Sequence, residues 1–157
     1  MKGRVAVIGG GPAGMMAAWT LAPSVQVVLY EQGRSLGRKF LVAGEGGLNL
    51  TNRASGPALV QGYSPIGFMR PFVEDFGSEE LREWLKQLGI PTYVGSSGRV
   101  FPDRGIKPVE VLNAIRTALL ERGVRVHLQH RFVGFDERGA PVMESAGVKA
   151  AVEDRKS

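Results

Sequence analysis

Gly9-x-Gly11-x-x-Gly14 and Glu31, 22 residues after Gly9, are the residues of this chain best spaced to do chemistry. In such a spacing the first glycine permits a tight turn, and the second lets backbone approach a pyrophosphate. The third lets the following helix pack closely on the strand. Pro12 and Ala13 complete the turn, and the free N–H groups and positive dipole end of the helix that it opens favour phosphate. Glu31, followed by Gln32, closes the next apolar run, where a carboxylate accepts ribose hydroxyls. A carboxylate in this place repels a 2′-phosphate, so the turn suits an adenosine with free ribose hydroxyls, in FAD or in NAD.

A second group follows at GRKFLVAGEGGLNLTN, residues 37–52. The backbone N–H groups of Gly44, Gly46 and Gly47 can line an anionic or flavin ligand without side-chain obstruction. Asn49 and Thr51 can donate hydrogen bonds, and Arg38 or Lys39 can offset phosphate charge.

The elements that must position these groups are legible around them. Residues 3–8 read as a buried parallel strand, Met15 to Ala22 as a helix and Val25 to Tyr30 as a second strand. Together they have the size of a βαβ unit. Residues 32–65 carry little periodicity, and a stretch of that length is usually functional or disordered. Ser78 is expected to cap a helix ending at Gly89. Thr92–Val94 and Arg99–Phe101 read as a hairpin. Pro108 opens a helix with Val111, Leu112, Ile115, Leu119 and Leu120 inward and Gly123 as its stop. Val124 to Leu128 and Phe132 to Phe135 read as strands. The predicted fold is α/β and Rossmann-like, with a mostly parallel sheet and a short antiparallel excursion at 92–101. With 22 glycines in 157 residues, the chain holds about twice the usual share, as expected where backbone must turn tightly or approach a ligand.

The segments GRKFLVAGEGGLNLTN and Gly98-Arg99-Val100-Phe101-Pro102 resemble a bacterial family of NAD(P)/FAD-dependent oxidoreductases related to the two-dinucleotide-fold flavoproteins. Those proteins carry a GRK segment, a G-x-G-R-C-N-x-T-N loop and a G-R-x-F-P element. Gly47 stands here where Arg is usual, and Leu48 where Cys is usual. The resemblance runs from about residue 3 to residue 136. It implies FAD as the cofactor, with NAD(P)H as a candidate electron donor, and backbone contacts to the adenine from the strand at Phe132. It also implies a chain that is the N-terminal portion of a larger enzyme. Residues 1–138 would form the FAD-binding domain, with 139–157 a poorly ordered tail and a second polypeptide able to complete the fold. An NAD-dependent dehydrogenase and a non-catalytic dinucleotide-binding module are the alternatives.

Other chemistry is excluded or left unassigned. The chain has no cysteine, which removes disulfide scaffolds, zinc–thiolate sites and iron–sulfur clusters and fits a cytoplasmic protein. His127 and His130, the only histidines, are three apart on a presumed strand and are expected to face opposite sides, so no metal site is expected. The net charge of +5 is spread along the chain, which argues against nucleic acid as a partner. No apolar run is long enough for a membrane span. The expected partner is a small-molecule substrate of unknown identity, and no residue is singled out as catalytic.

Overall fold

Arg4–Ile8 form β1 and Gln26–Tyr30 form β2, two runs of β-branched and apolar residues that pair in parallel in register from Arg4 opposite Gln26 to Ile8 opposite Tyr30. The computed structural model describes residues 3–43 and 47–152. They fall into two compact units, residues 1–42 with 115–157, and residues 43–114.

In the first unit, helix α1 (Pro12–Leu21) connects β1 to β2 and buries Met15 and Ala18. Trp19 lies half-buried on it, with the Arg122 guanidinium 3.3 Å from its ring centroid. The parallel sheet gains a third strand, β6 (Arg125–His127), giving the order β1-β2-β6. Among the described residues β1 therefore has one hydrogen-bonded neighbour.

The second unit opens on the region expected to be irregular. That stretch, 32–65, contains the short helix α2 (Arg38–Ala43), β3 (Thr51–Asn52) and α3 (Gly56–Val60), and α4 (Ile66–Asp75) follows it. Leu59, Val60 and Val73 form a small core there, with Ala54 and Met69 against it. Helix α5 (Ser78–Gln87) and strands β4 (Thr92–Val94) and β5 (Arg99–Pro102) complete it. The expected hairpin is present, and β3 adds to its other side, giving the order β3-β5-β4. Gly77, not Ser78, is the N-cap of α5, and its N–H donates to Glu80 Oε2 at 2.9 Å. Ser78 is helical and buried, its hydroxyl 2.9 Å from that of Thr51.

Helix α6 (Pro108–Glu121) begins in the second unit and ends in the first. Val111, Leu112, Ile115 and Leu119 are buried as expected, whereas Leu120 is 48% exposed and Ala118 takes the inward place. Residues 111, 115, 118 and 119 share one face at helical spacing, and 120 turns away from it. Leu119→Ala is thus expected to cost about 2–5 kcal/mol, as for a buried leucine. Leu120→Ala should stay within about 0.5 kcal/mol, as at exposed positions. Urea unfolding of the two variants measures the difference.

Residues 139–152, expected to be a tail, are instead structured. β7 (Arg131–Phe135), β8 (Pro141–Ser145) and β9 (Val148–Ala151) form an antiparallel sheet in that order. Asp136 Oδ1 accepts the N–H groups of Arg138 and Ala140 at 2.9 and 2.8 Å and shapes the first turn. Ala146 and Gly147, both at positive φ, make the second turn. Met143 then inserts into a core with Val28 and Tyr30 of the parallel sheet, which supplies the burial that a polar-looking segment needed. Residues 153–157 lie outside the described residues. Antiparallel pairing is thus more extensive than a short excursion, within a fold that is the expected Rossmann-like α/β type. No helix among the described residues is long and apolar enough to cross a membrane.

Candidate functional site: the glycine turn and its carboxylate

Gly9 leaves β1 at φ +103°, a conformation that favours glycine, and its N–H donates to Tyr30 O at 2.8 Å. The turn is thereby tied to the end of β2, where Glu31 begins. Gly11 is the N-cap of α1 at φ −77°, with no side chain capping it and no acid in the first turn. A Cβ at Gly11 would meet nothing within 4 Å, whereas one at Gly14 would collide with the Gly9 carbonyl oxygen. The two glycines therefore serve different ends. Gly14 is small so that helix and strand can touch, and Gly11 is small beside open space.

Glu31 is fixed by backbone donors. Gly10 N–H donates to Oε2 at 2.7 Å and Gly33 N–H to Oε1 at 2.6 Å. Each carboxylate oxygen retains a further lone pair for an incoming donor. Gly10 has no room for a side chain, since a Cβ there would overlap Leu36 and lie 3.0 Å from Glu31 Oε2. Gly37 N–H closes the loop on Gly10 O at 2.8 Å.

These residues open onto a cavity of about 780 Å³, within the size range of small-molecule and cofactor sites. Of the expected residues, Gly11, Pro12, Glu31, Gln32, Arg38 and Lys39 line it. Gly9, Ala13 and Gly14 do not line it; they belong to the turn and the start of α1. Gly47, Asn49 and Thr51 lie in the second unit, where the Thr51 hydroxyl is engaged with Ser78. Gly44 and Gly46 lie outside the described residues. Phe132 packs its ring against the core of Val28, Tyr30 and Met143.

Sequence reasoning missed several contributors. Gly33, Ser35 and Gly37 line the cavity, as do Arg131 and Glu144 from the antiparallel sheet. Arg131 Nε donates to Glu144 Oε2 at 3.1 Å, and Nη2 donates to the same oxygen. The guanidinium beside it holds the Glu144 carboxyl below the usual carboxylate range, mainly through this hydrogen bond and then through its charge. Nothing in the sequence marks this pair, because Glu144 falls in the segment expected to be a tail.

The histidines also differ from expectation. Their rings are not on opposite sides but lie 5.2 Å apart, edge to face. Gln129 adopts φ +58°, which breaks the strand between them and turns His130 back. No group of three metal-ligating side chains occurs among the described residues.

The chain matches the HI0933-like protein Rossmann domain over residues 3–153. It belongs to that family. It is 33% identical over 127 residues to a 3-dehydro-bile acid delta(4,6)-reductase of Clostridium scindens, covering 79% of this chain and 30% of the relative. It is 25% identical over 124 residues to a ribosomal RNA dihydrouridine synthase of Haemophilus influenzae, covering 78% and 30%. The chain thus spans about 30% of the length of these curated relatives. Among solved structures, a 3-ketosteroid-delta4-(5alpha)-dehydrogenase of Rhodococcus jostii RHA1 shares the fold at TM-score 0.65 and 16% identity, over 95% of this chain and 44% of that one. A flavocytochrome c3 fumarate reductase does so at TM-score 0.64 and 17% identity, over 90% and 30%. At these identities the solved structures share the fold of this chain, the Rossmann type that the family match names.

Proposed function

We propose that the glycine turn holds FAD through its ADP half, and that the chain is the dinucleotide-binding part of a flavin-dependent oxidoreductase. The observation that carries this reading is the Glu31 carboxylate, locked by Gly10 and Gly33 N–H groups beside the uncapped start of α1. In this reading the first-turn N–H groups of α1 meet the pyrophosphate. Glu31 accepts the ribose hydroxyls with its remaining lone pairs, and Arg38 and Lys39 in the same cavity offset phosphate charge. Gly11 keeps the path of the phosphates clear. Bound flavin would supply hydride or electron transfer, with the protein supplying orientation and electrostatics. Gly44, Gly46, Gly47, Asn49, Thr51 and the backbone at Phe132 remain proposed contributors to the same cofactor.

NAD(P)H as the electron donor is part of the proposal, supported by the family resemblance alone. The two curated relatives are named for a bile acid and a ribosomal RNA as substrates, so no substrate is carried over to this chain. We assign substrate selection to the parts of the longer relatives that this chain does not span.

The test is to purify the 157-residue chain, add FAD and pass it through gel filtration. Flavin absorbance near ~375 and ~450 nm, which belongs to the cofactor itself, should travel with the protein, and ADP should displace it. Failure of both FAD and ADP to bind would overturn the reading. Binding of NADH in preference to FAD would replace it with the dehydrogenase alternative.

A further inference from the structure

The three parallel strands end side by side in the order β1-β2-β6, with neighbouring strands about 4.8 Å apart. The start of α1 follows β1, and Glu31 follows β2. With phosphates over the first strand end and ribose over the second, as proposed above, the base of the nucleotide falls toward the third. The chain leaving β6 at that end is laced to the Glu31 loop by backbone bonds. Glu31 N–H donates to His127 O, His130 N–H to Glu31 O and Gln129 N–H to Gly33 O, each at 2.9 Å. Arg131 comes next and opens β7.

Arg131 and Glu144 are direct partners in the pairing of β7 with β8, so their side chains are neighbours on one face. Both line the cavity at the glycine turn. Nε and Nη2 of Arg131 donate to the same oxygen, Glu144 Oε2. Glu144 Oε1 receives no donor among the described residues. Arg131, helped by Lys149 opposite Glu144 on β9, keeps this carboxyl below its ordinary range, so it is ionised at neutral pH.

Glu31 and Glu144 are the carboxylates among the described lining residues of the cavity. Both oxygens of Glu31 are anchored by backbone N–H groups, whereas Glu144 presents a whole oxygen to an incoming donor. On adenine the 6-amino group is such a donor, and the ring nitrogen N7 beside it only accepts. Hypoxanthine has the same ring outline but carries an acceptor oxygen at position 6, which a carboxylate repels.

We propose that Glu144 is a specificity-determining residue of the nucleotide site, its Oε1 accepting the 6-amino group of adenine. This inference rests on the dinucleotide reading above.

Calorimetric titration of the 157-residue chain with ADP and with inosine diphosphate, which differ in the base alone, tests it. The chain should prefer ADP by about ten-fold or more, the factor for a hydrogen bond to a charged group. Glu144→Gln keeps the shape of the side chain. Its single oxygen is claimed by Arg131, however, and its amide nitrogen then faces the adenine amino group, donor against donor. That variant should bind the two nucleotides within about three-fold of each other, or inosine diphosphate better. Its melting curve should stay in place, because the Arg131 side of the pair is exposed and such pairs contribute little to stability. Equal binding of the two nucleotides by the unaltered chain, or an undiminished ADP preference in Glu144→Gln, would overturn the inference and leave the dinucleotide reading standing. Failure of both nucleotides to bind would overturn that reading and the inference with it.

Discussion

Gly11→Val is expected to give a folded protein that no longer takes up FAD or ADP. Gly11 sits at an ordinary negative φ and a Cβ there meets only open space. Stability should therefore change by no more than about 1 kcal/mol. The same open space is where the phosphates are proposed to lie. A branched side chain would push them off the N–H groups of α1, forfeiting bonds to a charged group worth about 1.5–3 kcal/mol each. Loss of affinity by about 100-fold or more is the expected result. Gly14→Ala supplies the contrast. Its Cβ runs into the Gly9 carbonyl oxygen, which is backbone and cannot step aside cheaply. Overpacking of that kind costs about 1–3 kcal/mol, so this variant should lose stability first. Calorimetric titration with ADP and urea unfolding separate the two. Full FAD occupancy in Gly11→Val would show that the phosphates run elsewhere.

Replacing Glu31 should weaken FAD and loosen the turn together. Alanine removes the acceptor of two backbone N–H groups at 2.7 and 2.6 Å, as well as the proposed ribose acceptor. Water can reach this half-buried place, so the folded protein without ligand should lose only about 1–2 kcal/mol. Affinity for FAD should fall by about 10- to 100-fold. Gln is not a conservative change here. Its amide nitrogen would have to face one of the two backbone donors, leaving donor against donor. Arg should be the most damaging variant, since it places a cation against both N–H groups. ADP titrations and thermal melts of the three variants measure these effects, and unchanged affinity across them would remove Glu31 from the site.

The part of the fold most legible in the sequence was the part ruled by strict spacing. Gly9, Gly11, Gly14 and Glu31 must keep their separations for strand, turn, helix and strand to close, so their pattern is read directly. Helix α6 was legible for the same reason, except that Leu120 is apolar yet lies off the buried stripe. Helix α4 was not legible, because Pro71 stands inside it and its apolar residues face two ways. Met69 and Val73 turn to the core, while Phe68 and Phe72 remain exposed with their rings 5.5 Å apart. The antiparallel strands β8 and β9 escaped because their burial comes from the parallel sheet, through Met143 against Val28 and Tyr30. No local pattern announces such a contact. The aromatic group of Tyr30, His127 and His130 escaped because a single positive φ at Gln129 reverses which side His130 faces.

The single pairing of β1 fixes where its polar backbone goes. Gly3 O accepts from Gln26 N–H and Gly9 N–H donates to Tyr30 O, so the odd-numbered residues of this stretch direct their backbone groups to β2. In a parallel pair the alternate residues direct theirs the other way. Ala6 and Ile8 therefore direct their N–H and C=O groups along the outer edge, where no strand among the described residues meets them and water is left to solvate them. An extended segment arriving there would exchange that water for a ready-made ladder, whether it came from the same molecule or from a stranger. Arg4 places a positive charge at the head of this edge, one of the devices by which sheet edges discourage indiscriminate adhesion.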